Sequence, residues 1–205
     1  MDLSEALTSC LDLHHRYIHV NGGGDYYIER CGKTLKIYFE WSDGIEDWIN
    51  NFRFFAVPCK PYKGMNKIWF CHGGFFKVWE AIEPYLAEVI ADRSITNIDV
   101  VGYSHGAAIA LLCYEYCVFN RPDAIIEGVG FGCPRVLWGF IPKKIRERFY
   151  NFKVVRNGND IVCHLPPAFM GFTHVGKIIK IGRTNPIKDH LGSEYLQSIK
   201  KFYCQ

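Results

Sequence analysis

The sequence predicts an α/β domain built on a central, largely parallel sheet with helices on its faces. Three observations carry this. Apolar strand-length runs at residues 98–103, 125–131, 152–156 and 175–181 alternate with helix-length segments. Phe75, Val78, Trp79, Ile82, Tyr85, Leu86, Val89 and Ile90 recur at intervals of three and four, the spacing of a core-facing helix. Between two such segments, residues 98–119 read as strand, tight glycine turn and helix.

In chain order, residues 4–17 read as an opening helix with Leu7 and Leu11 on one face, ended by Asn21-Gly22-Gly23-Gly24-Asp25. Residues 26–30 and 34–40 flank Cys31-Gly32-Lys33 and read as a β-hairpin. Residues 45–54, with Trp48, Ile49 and Phe52, fit a short amphipathic helix, and 68–71 a buried strand. The long helix through Phe75 and Ile90 contains Pro84, which favours a kink. Strand 98–103, helix 106–119 and the later strands complete the pattern, and in such sheets chemistry sits at the carboxyl ends of the strands.

The chain has 205 residues, 49% hydrophobic and 22% charged, which suits one folded domain spanning residues 1–205. Its 24 Lys and Arg are spread along the chain and the net charge is +3, so no nucleic-acid partner is expected. Nine cysteines form no C-x-x-C pair and match no zinc pattern, so no metal site is expected. Cys113 and Cys117, four apart in an apolar helix, read as buried thiols. No stretch nears the ~20 apolar residues of a membrane span, and the first twenty residues lack a secretory pattern. The expectation is a reduced, cytoplasmic protein.

Val100-Val101-Gly102-Tyr103-Ser104-His105-Gly106 is an apolar strand entering a G-x-S-x-G turn at a helix start, the setting of a nucleophile elbow. Such a turn lifts a serine hydroxyl clear of the sheet and aims the helix's first N–H groups at the same point. The backbone N–H of His105 is placed to stabilise an oxyanion there. Adjacent side chains diverge at the turn, so its imidazole is not the expected base.

The segment GYSHGAAIA resembles the GHSLGGALA stretch of the class 3 lipases, the fungal-type triacylglycerol lipases and related phospholipases. Further matches follow in order: Phe39-Glu40-Trp41-Ser42, His72-Gly73-Gly74-Phe75, Phe131-Gly132-Cys133-Pro134-Arg135-Val136, Asn159-Asp160-Ile161-Val162, Leu165-Pro166-Pro167 and His174-Val175-Gly176. The resemblance implies an α/β-hydrolase fold in its compact lipase version. It also implies a serine ester hydrolase acting on acyl esters, above all lipids, without a cofactor.

A serine hydroxyl needs a base, and the base needs a carboxylate to hold its tautomer. The family places its acid in the N-D-x-V stretch, here Asp160. His190 follows the last strand and gives the chain order Ser104, Asp160, His190. His72, His164 and His174 are the rival histidines. Asp189, adjacent to His190, is poorly placed to bond it. The family's second oxyanion donor falls on Ser42, but Glu40 and Trp41 replace the family's Arg and Gly there, which alters that loop.

Residues 44–63 occupy the place of the family's lid, and their apolar content fits either a lid or a core helix. The partners expected are a lipid or other acyl-ester substrate and a transient membrane surface. An acyltransferase or thioesterase using the same triad, or a non-catalytic lipase-like binding protein, stays open.

Overall fold

The computed structural model describes residues 1–13, 16–21, 24–40, 55–59, 69–182 and 188–204. Ser42 and nearly all of the expected lid, including the helix at 45–54, lie outside the described residues.

Helix α1 (Leu3–Asp12) is capped by Asp2, whose carboxylate accepts from the Glu5 N–H at 2.8 Å. It ends before the expected residue 17, and the β-branched run that follows forms a short strand, β1 (Ile18–Val20). The expected hairpin is β2 (Gly24–Cys31) and β3 (Thr34–Phe39), joined by a two-residue loop in which Gly32 takes φ +61°. Next come β4 (Ala56–Cys59), β5 (Trp69–His72), α2 (Gly73–Ala91), β6 (Asn97–Tyr103) and α3 (His105–Asn120). Then follow β7 (Ile125–Phe131), β8 (Leu137–Trp138), α4 (Lys143–Arg148), β9 (Phe152–Asn157), β10 (Phe172–Thr173), β11 (Lys177–Ile181) and α5 (Gly192–Tyr203).

The main sheet has seven strands in the order β1-β2-β3-β6-β7-β9-β11. The hairpin edge is antiparallel, and β3, β6, β7, β9 and β11 run parallel. Strand alternation divides the core. Ile37, Phe39, Ile98 and Val100 pack with α2 and α3, whereas Tyr38, Val101, Tyr103, Val129, Phe131, Val155 and Ile181 pack with α1 and α5. Helices thus cover both faces of a largely parallel sheet, the architecture the sequence predicts. Cys113 and Cys117 are buried in α3.

Arg121 follows α3 and is buried. Its guanidinium donates to the carbonyls of Ile90, Asp92 and Ile95 and to Asp123, tying the end of α2 to the entry of β6. These carbonyls would otherwise be orphaned at a helix end.

A second, four-stranded antiparallel sheet in the order β10-β8-β5-β4 is not legible in the sequence. Cys59 and Cys71, on neighbouring strands β4 and β5, are disulfide-bonded with Cα atoms 6.2 Å apart. This corrects the expectation of a fully reduced chain. The antiparallel register brings together two cysteines that lie twelve apart in sequence with no motif to pair them. Among the described residues, no helix is long and apolar enough to cross a membrane.

Candidate active site

Strand β6 delivers Ser104 to the carboxyl edge of the sheet. Ser104 takes φ +55° and ψ −122°, and is the one non-glycine residue with positive φ among those described. A backbone held there stores roughly 1–3 kcal/mol of strain. Tight packing enforces it. A Cβ on Gly102 would meet the Gly106 carbonyl oxygen at 2.3 Å, and one on Gly106 would meet that of Phe39 at 2.3 Å. The two glycines are therefore required by close approach, as the motif implies.

Three expected residues come together. Ser104 Oγ lies 2.9 Å from His190 Nε2, and His190 Nδ1 lies 2.8 Å from each carboxylate oxygen of Asp160. The carboxylate fixes the Nδ1–H tautomer and leaves Nε2 to accept the serine proton. His190 sits in a turn, with the Leu191 N–H on the Lys188 carbonyl at 2.9 Å. The Tyr103 ring stacks on its imidazole, centroids 5.3 Å apart and planes 17° apart, and the Tyr103 hydroxyl donates to the His190 carbonyl.

Asp160 leaves β9 through the loop Asn157-Gly158-Asn159 and is fully buried. It accepts from the Val162 N–H at 2.9 Å and from the Tyr195 hydroxyl at 2.6 Å, besides His190. Burial pushes its pKa up, but the bonds and charge of His190 and the donation from Tyr195 and Val162 outweigh that. The carboxyl is held below its ordinary value. Asp189 plays a different part. Its carboxylate accepts from the Asn159 N–H at 2.7 Å, and its carbonyl accepts from Asn157 Nδ2 at 2.9 Å. It braces the loop that carries Asp160.

His105 opens α3, so its N–H lies in the first turn beside Ser104, at the positive end of the helix dipole. Burial holds its imidazole down to about 4, and the ring meets Phe75 at 5.6 Å. The rival histidines are placed elsewhere. His72 caps α2, accepting from the N–H groups of Gly74 and Phe75 at 3.2 and 3.4 Å. His164 bonds Arg156 and Asn159, and His174 Nε2 donates to the Cys163 carbonyl at 2.8 Å. None of these three hydrogen-bonds Ser104 or Asp160 among the described contacts.

Sequence reasoning passes over Tyr103 and Tyr195. Tyr195 shares the buried stripe of α5 with Ile199, and an aromatic on such a stripe reads as core packing. Its position one turn into the helix that follows His190 is the only signal. A cavity of about 570 Å³ lined by Lys143, Arg146, Lys153, His174 and Lys177 opens elsewhere. Lys153 is the second residue of β9 and Lys177 the first of β11, so it lies at the opposite end of the sheet from Ser104. Among the described residues, no three His, Cys, Asp or Glu side chains gather as a metal would require.

The family model for lipase (class 3) matches residues 37–170, a span that includes Ser104 and Asp160. The Rhizomucor miehei lipase is 29% identical over 162 residues, covering 75% of this chain and 43% of that protein. The Oryza sativa subsp. indica phospholipase A1-II 7 is 27% identical over 199 residues, covering 79% and 46%. The chain thus spans less than half the length of these relatives. Among solved structures, Rhizomucor miehei triacylglyceride lipase superposes with a TM-score of 0.70 at 23% identity, covering 87% of this chain and 77% of that one. The Rhizopus microsporus var. chinensis lipase gives 0.72 at 20% identity, covering 89% and 72%.

The expected cytoplasmic location is overturned. A Fusarium solani relative, 26% identical over 151 residues and covering 71% of this chain and 43% of that one, is named a secreted mono- and diacylglycerol lipase. The Cys59–Cys71 bond is also of a kind that persists in oxidising compartments. With the elbow, the sheet order and a family match across most of its length, the chain belongs to the class 3 lipases.

Proposed function

We propose that the chain is a serine carboxylic ester hydrolase acting on lipid acyl esters. The observation that carries this is the unbroken line Ser104–His190–Asp160, with links of 2.9 and 2.8 Å, at a serine held in a strained turn at a helix start. In the reaction, Ser104 Oγ attacks the ester carbonyl while His190 Nε2 takes its proton. Asp160, already ionised, stabilises the imidazolium that forms and does not itself take the proton. The tetrahedral oxyanion is held by the N–H of His105 and by that of Ser42, which lies outside the described residues. His190 then protonates the leaving alkoxide, and water repeats the sequence on the acyl-enzyme.

Lipid is the favoured acyl source because relatives of this chain are named as lipases and a phospholipase. The test is hydrolysis of p-nitrophenyl esters from acetyl to palmitoyl, with Ser104→Ala in parallel. Serine-dependent turnover that rises with chain length is the expected result. A well-folded chain without turnover, and without fluorophosphonate labelling of Ser104, would overturn the reading.

A further inference from the structure

The open cavity of about 570 Å³ at the far end of the sheet has no part in the proposed ester chemistry. Its charge is lopsided. Lys143, Arg146, Lys153 and Lys177 line it, against the carboxylates of Glu127 and Glu147. Glu147 pairs with Lys143, one helical turn away, at 3.7 Å. Counting Glu127 wholly against Lys153, whose charge acts on it, still leaves Arg146 and Lys177 with no ion-pair partner among the described contacts.

The fold also sets two of these cations side by side. Lys153 and Lys177 are register partners on the neighbouring parallel strands β9 and β11, so their side chains leave the same face of the sheet from backbones about 4.8 Å apart. Lys153 is half-buried, which weakens the screening between them. Like charges so placed repel. Packing alone does not call for two ammonium groups there, whereas an anion held between them turns the repulsion into attraction.

The rest of the lining says what kind of anion fits. Phe149 and Val175 supply buried apolar wall, Tyr150 an exposed ring and Asn151 an amide. The volume falls within the roughly 300–1,000 Å³ of small-molecule sites and exceeds what an inorganic anion fills. Two surplus positive charges match a dianion, and a phosphate monoester carries close to two negative charges at neutral pH. A carboxylate would balance only one of them. The Arg146 guanidinium suits paired phosphate oxygens, and the apolar wall suits the organic part of the ester.

We propose that this cavity binds a phosphate monoester, held by Arg146, Lys153 and Lys177, at a site separate from the catalytic serine. The proposal stands whether or not the chain hydrolyses esters. The test is calorimetric titration of the full chain with glycerol 3-phosphate, with inorganic phosphate and glycerol as comparison probes at fixed ionic strength. Glycerol 3-phosphate is expected to bind saturably and more tightly than inorganic phosphate, and glycerol not to bind. Lys153→Gln/Lys177→Gln should weaken binding at least about tenfold. It should leave the melting temperature of the free chain unchanged or raised, since it removes a repulsion. Arg146→Gln, at an exposed helix position, carries the same expected loss of binding should the double variant fail to fold. A terminal phosphate on a lipid presents the same chemistry. Capture of the chain by phosphatidic acid vesicles, reversed by glycerol 3-phosphate, would place the ester on a lipid; binding of the soluble ester without capture would place it in solution. No saturable binding of glycerol 3-phosphate, or equal binding by parent and variants, overturns the proposal. So does an affinity for inorganic phosphate equal to that for the ester, which would reduce the cavity to a site for simple ions.

Discussion

Ser104 is held at φ +55° by contacts that tolerate no Cβ at Gly102 or Gly106, so its strain is imposed by the fold and serves the hydroxyl's position. Relieving that strain should stabilise the protein. Ser104→Gly is expected to raise unfolding free energy by about 1 kcal/mol in denaturant titration while removing all turnover. Tyr195 contributes in the other direction. Tyr195→Phe takes away one of the donors that keep buried Asp160 ionised, so a loss of about 1.5–3 kcal/mol in stability is expected. The sign of the pH effect follows from the depressed Asp160 pKa. Its contribution to stability is complete above the ordinary carboxylate value and is lost as pH falls through the lower folded value. In Tyr195→Phe that loss should begin at higher pH, which acid unfolding curves would read directly. At this scale the grouping of Ser104, His190 and Asp160 was legible because the G-x-S-x-G turn is a local signal and the resemblance to the class 3 lipases supplied the acid and the chain order. Tyr103 and Tyr195 were not, because a hydroxyl's partner on a distant loop leaves no spacing to read.

Among the elements, the long periodic segments were the legible ones. Helix α2 and the parallel strands β6, β7 and β9 match the sequence pattern nearly to the residue, since a run of apolar positions marks each of the strands or their packing helix. The small sheet was missed because β8 and β10 have two residues each and show no period. The expected strand at 175–181 starts two residues early for the same reason: Val175 is buried, but in the turn between β10 and β11. The disulfide of that small sheet closes a short loop between β4 and β5. Replacing both cysteines by serine is expected to lower stability by about 2–3 kcal/mol, measured as a shifted denaturation midpoint. Turnover of a soluble ester at low temperature should survive, because neither cysteine touches the triad.

At the scale of the whole molecule, burial of His105 and His174 sets a pH dependence of stability. Burial holds both His105 and His174 down from 6.5 to about 4. The unfolded chain therefore binds protons that the folded one refuses. Stability from these groups is full above pH 6.5 and declines as pH falls from there to about 4. Thermal melting across that range should show the decline, and His174→Gln, which keeps a side-chain donor for the Cys163 carbonyl, should make it shallower.

The sheet order has a further consequence in time. Ser104 and His190, the proposed nucleophile and base, are 86 residues apart, and His190 arrives only after the last parallel crossover has delivered β11 to the sheet edge. A chain emerging from a ribosome thus exposes Ser104 well before His190 has been synthesised. On the proposed mechanism, the growing chain has no means of cutting an ester until that final crossover closes, and activity waits on completion of the fold itself.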